Sequence, residues 1–75
     1  MGMAERILAV AEALRDPAHP ARRDPGMALI IARADHRFLH LNRRGGPSAA
    51  RRTAVSEAEE ALRAAFPDPE PSPGQ

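Results

Sequence analysis

The sequence predicts a small α+β domain, and three observations carry that expectation. A helical stripe at the N-terminus stops at Asp16-Pro17, an apolar run at 27–33 leads into alternating residues at 37–43, and a Ser56/Glu59 pair opens a last helical stripe. The expected order is an N-terminal helix, an antiparallel β-hairpin, a third short strand and a C-terminal helix. Both helices would pack on one face of the sheet, a two-layer α/β sandwich formed by residues 1–66 as a single domain.

The first helix is read over residues 3–15. At 100° per residue Met3, Ile7, Val10, Ala11 and Leu14 share a stripe with Leu8 at its edge, while Glu5 and Glu12 point to water. Pro17 ends it, because proline disfavours helical geometry in the preceding residue and has no N–H to donate. Residues 17–26 hold three prolines and close on Gly26, so they read as a semi-rigid proline-rich connector without regular structure. Arg22-Arg23 inside it reads as a solvated turn.

Residues 27–33 are apolar with adjacent isoleucines and are bounded by Pro25-Gly26, which favours a strand buried on both faces. A turn at Ala34 to His36 would lead into a second strand with Phe38, His40 and Asn42 on one face and Arg37, Leu39, Leu41 and Arg43 on the other. After the Gly45-Gly46-Pro47 break, residues 49–55 have two readings. A third strand is preferred to one long helix capped by Ser48 and running to Phe66, because Ser56 and Glu59 have the spacing of a capping box and would be wasted in mid-helix. Residues 67–75 carry four prolines and no large apolar side chain, the composition of a disordered tail.

A chain of 75 residues has a thin core, and with no cysteine it has neither a disulfide framework nor a thiolate metal site. Small domains in that position lean on a partner or on self-association. The two-sided apolar strand points the same way and makes a homodimer one expected state. The short apolar run Ile7 to Ala11, flanked by Glu5 and Glu12, does not read as a signal peptide, and no run is long enough to span a membrane, so the expected location is cytoplasmic with no membrane partner.

Charge is the most informative feature. The eleven basic side chains are all arginine, and the net charge of +1 conceals strong segregation. From Arg33 to Arg52 six arginines face one acid, a local +5, while the remainder holds five arginines and nine acids, a local −4. Arginine favours planar, bidentate partners such as phosphate and carboxylate, so Arg37, Arg43, Arg44, Arg51 and Arg52 are the candidate binding residues.

No constellation points to catalysis. Gly45-Gly46-Pro47 lacks the lysine of a phosphate loop, and the serines lie in no nucleophile context. On a hairpin His36 and His40 would stand roughly 13 Å apart, too far to share one metal. A small ribonuclease using either histidine is the least favoured reading, and no cofactor or metal is expected. The leading expectation is a non-enzymatic protein-binding or regulatory module, of the kind common among accessory and phage-encoded proteins, acting through a sheet face and an arginine edge. The alternative is a nucleic-acid-binding module that contacts phosphates through Arg43 to Arg52. Against it stand only two aromatic residues, Phe38 and Phe66, and no exposed stacking platform.

Overall fold

In the computed structural model, which describes residues 2–67, the chain forms three α-helices, and there is no strand among the described residues. They are α1, Met3–Ala13, α2, Pro25–Gly45, and α3, Pro47–Ala65, with a one-turn 3-10 helix at Pro20–Arg23. The molecule is a helical bundle, so the α+β sandwich, its hairpin and its third strand are all corrected.

α1 lies where the periodicity places it. The Glu5 carboxylate reaches back to the Gly2 N–H at 3.0 Å, satisfying one of the orphan donors of the first turn. Ala9, Val10 and Ala13 are buried, and Met3, Ile7 and Leu14 pack against them.

The predicted hairpin is the single helix α2. Its apolar residues fit a helix better than a strand: Met27, Ile30, Ile31 and Ala34 are buried, and Phe38 and Leu41 continue the 3-4 spacing as half-buried side chains. The supposed turn at Ala34 to His36 contains no glycine, proline or asparagine, and Ala34 is in the core. The start signal lies in what was read as connector, with Asp24 as N-cap and Pro25 at the first helical position, where a missing N–H costs nothing.

Residues 49–55 belong to α3, so the long-helix reading is the one found. Its cap is Gly46, with Pro47 in the first turn, rather than Ser48. Ser56 is exposed in mid-helix, and Glu59 accepts from Arg63 one turn on at 2.7 Å instead of closing a capping box. Ala50, Ala54, Ala58 and Leu62 are buried at strict four-residue spacing, so α3 offers α2 a face of small side chains that permits close helix approach. Gly46, at φ +88, makes the turn between the two helices, a conformation that any side chain would strain.

α2 and α3 are an antiparallel pair: Gly26 at the start of α2 lies against the Phe66 ring at the end of α3, and Arg6 of α1 stacks on that ring at 3.9 Å. With 11 residues against 21, α1 spans about half of the hairpin at 1.5 Å per residue. The core of Val10, Met27, Ile31 and Leu62 therefore sits at the end away from the Gly46 turn, and the whole measures 48 × 24 × 15 Å.

The connector is anchored rather than loose. His19 caps the 3-10 turn, its Nδ1 accepting from Ala21 N–H at 3.1 Å, while its Nε2 meets Glu12 at 3.2 Å. Arg22 is the clamp of the fold: its guanidinium grips both carboxylate oxygens of Asp35 on α2, donates to the Ala13 carbonyl at the end of α1, and reaches the Asp16 carbonyl at 3.1 Å. The hydrogen bond to Asp35 raises the Arg22 pKa further above its ordinary value, desolvation opposing it. A raised value in the folded state means the contribution is complete at neutral and acid pH, as far as Arg22 is concerned, and is lost only in strong alkali. Replacing Arg22 by Ala is expected to cost about 1.5–3 kcal/mol in urea denaturation. Arg22→Lys should restore little of it, since an ammonium cannot serve a bidentate carboxylate and two carbonyls together. A purely solvated turn thus describes Arg23, which is exposed, and not Arg22.

Two basic clefts at the hairpin end

Between Arg37 and Ser56 there are five arginines, one histidine and no acid, and the fold makes this stretch the turn end of the α2–α3 hairpin. The positive charge that the sequence segregates along the chain is thus segregated in space. Two acids nearest to it are already engaged: Asp35 by Arg22, and Glu57 by Arg37 at 2.9 Å.

The predicted arginines divide among three places. Arg37 and Arg44 line a cleft of about 270 Å³ between α2 and α3, together with His40, Leu41, Ala50 and Thr53. Arg51 and Arg52 line a second cleft of about 350 Å³ with Ser48 and Val55. Arg43 is exposed in the last turn of α2 and lines neither cleft; there it faces the negative end of the helix dipole, as Arg44 does.

Sequence reasoning missed one member. Arg15, just past the end of α1, completes the second cleft, and only the packing of α1 along α3 brings it there. Arg51 is half-buried, with its guanidinium 5.4 Å from the Phe38 ring centroid and a buried Nε that has no hydrogen-bond partner among the described residues. Among the described residues Arg15, Arg43, Arg44, Arg51 and Arg52 form no ion pair, whereas Arg22, Arg37 and Arg63 do.

The surface around the arginines is partly apolar. Leu39 is 57% exposed on α2, and Leu41 and Val55 form parts of the cleft walls. Both phenylalanines are occupied, Phe38 beneath Arg51 and Phe66 beneath Arg6, so neither is an open stacking platform.

The helix also changes the histidine geometry. His36 and His40, one turn apart on α2, fall on one helix face at a closer spacing than extended chain would allow, but no group of three metal-ligating side chains occurs among the described residues. No helix of the described residues is long and apolar enough to cross a membrane. No protein-family model, curated protein or solved structure matches the chain.

Proposed function

We propose that this chain is a non-enzymatic protein-binding module whose hairpin end docks an acidic, partly apolar segment of a partner protein. The observation that carries the reading is the acid-free arginine end itself, whose two clefts set Arg44 beside Leu41 and set Arg51 and Arg52 beside Val55. Arginine is among the residues enriched at protein-docking hot spots, where the guanidinium gives orientation and neighbouring apolar contact helps to exclude water. The charge complementarity selects an acidic occupant, and it disfavours a second copy approaching through the same end, since two such surfaces repel. The sheet face once expected to bind does not exist, and the two-sided strand that motivated a homodimer is a helix with Ile30 and Ile31 inside.

Contact with nucleic-acid phosphates is the competing use of the same arginines, and the absence of a free aromatic face weighs against it. The two are separated by titrating the protein with an amphipathic peptide carrying Leu and Glu at helical spacing, and with a DNA duplex, each at low and high salt. Peptide binding that survives in part at high salt, because Leu39 and Val55 contribute, supports docking. Duplex binding that exceeds it and vanishes with salt would replace the reading by the nucleic-acid one.

A further inference from the structure

We propose that the cleft of Arg15, Ser48, Arg51 and Arg52 is a site for a phosphate-monoester dianion. Three arginines line it, Arg15 just past α1 and Arg51 and Arg52 on α3, Ser48 and Val55 complete it, and no acidic residue is among its lining residues. None of the three arginines has an ion-pair partner among the described residues.

Arg51 makes the strongest case for an anion site. The residue is half-buried with its guanidinium over Phe38, and its Nε–H is shielded from water without an acceptor among the described residues. A partly desolvated cation with no compensating charge is costly, and elsewhere this molecule avoids the cost by pairing, as Arg22 does with Asp35. An anion seated in the cleft would supply the absent charge without altering the packing of Arg51 on Phe38.

The chemistry of the lining selects the class of anion. Three cations exceed what one carboxylate neutralises, whereas a phosphate monoester brings close to two charges and three acceptor oxygens at neutral pH. Planar guanidinium groups meet such oxygens in bidentate pairs, and the Ser48 hydroxyl adds a donor. The site shares Arg51 and Arg52 with the docking surface, but it is tested apart from that reading, because a small anion serves as probe and no protein partner is involved.

The test is a titration of the full ¹⁵N-labelled chain with inorganic phosphate at slightly alkaline pH and constant ionic strength, following the arginine Nε–Hε signals. The signals of Arg15, Arg51 and Arg52 are expected to move saturably, while those of Arg43 and Arg44 move little. An Arg15→Gln/Arg52→Gln variant, changed only at exposed positions, should keep its circular dichroism and lose affinity by about tenfold or more, the equivalent of lost charge-assisted hydrogen bonds. Parallel titrations with O-phosphoserine and adenosine 5′-monophosphate show whether an amino-acid or a nucleotide phosphate is held better, and saturable binding of either at this cleft upholds the proposal. Linear, unsaturable shifts shared by all exposed arginines, or equal binding by the folded double variant, would overturn it.

Discussion

Ile31→Ala is expected to lower stability by about 2–5 kcal/mol, and Leu29→Ala to change it by no more than about 0.5 kcal/mol. Ile31 is 1% exposed in the core formed with Val10, Met27 and Leu62, whereas Leu29, two residues earlier, is 60% exposed. A strand would put both side chains on one face and make their losses similar; a helix turns them about 200° apart. Domains of this size often have only a few kcal/mol of stability, so the Ile31 variant should be largely unfolded at ambient temperature. Urea denaturation followed by far-ultraviolet circular dichroism reads both variants in one experiment. Equal losses would mean that α2 is not the helix described.

Reversing charge at Arg44 and Arg52 together is expected to weaken binding of the acidic amphipathic peptide by about 100-fold, with about tenfold from each. The two side chains lie on different clefts and both are exposed, so the substitutions act on the docking surface and leave the core intact. Arg23→Glu makes the same change of charge in the connector, outside both clefts, and should cost only the small, salt-screened effect of net charge. A loss as large with Arg23→Glu as with one cleft substitution would reduce the effect to overall charge and remove the case for a defined surface.

The first helix and the distribution of charge were legible in the sequence, for different reasons. α1 carries large apolar side chains at helical spacing and stops ahead of Asp16-Pro17, a local signal that tertiary structure need not supply. Charge segregation needs only counting, and a helical hairpin keeps residues 33–52 together just as a β-hairpin would. α2 was misread because Leu29-Ile30-Ile31 has the look of a buried strand, although Met27, Ile30, Ile31, Ala34, Phe38 and Leu41 run through the supposed turn without a break in helical spacing.

α3 was hidden by its own composition. Its buried face is Ala50, Ala54, Ala58 and Leu62, and alanine contrasts too little with its neighbours to mark a stripe when large side chains are counted. The Ser56/Glu59 spacing then placed a helix start where the helix is already two turns old. Site membership fared similarly: Arg37 looked free until the fold set Glu57 beside it, and Arg15 looked irrelevant until α1 packed along α3. Neither pairing has a local sequence signal, because each joins residues at least twenty positions apart.

The central claim is that the turn end of the α2–α3 hairpin is the working face of this molecule. Backbone and methyl chemical-shift mapping of the labelled chain with the acidic amphipathic peptide addresses it directly. The largest changes are expected from Arg37 to Val55, including the methyl groups of Leu39, Leu41 and Val55, with Arg15 joining them from α1. Changes centred instead on the outer face of α1 around Leu8, or spread evenly over every arginine, would contradict it.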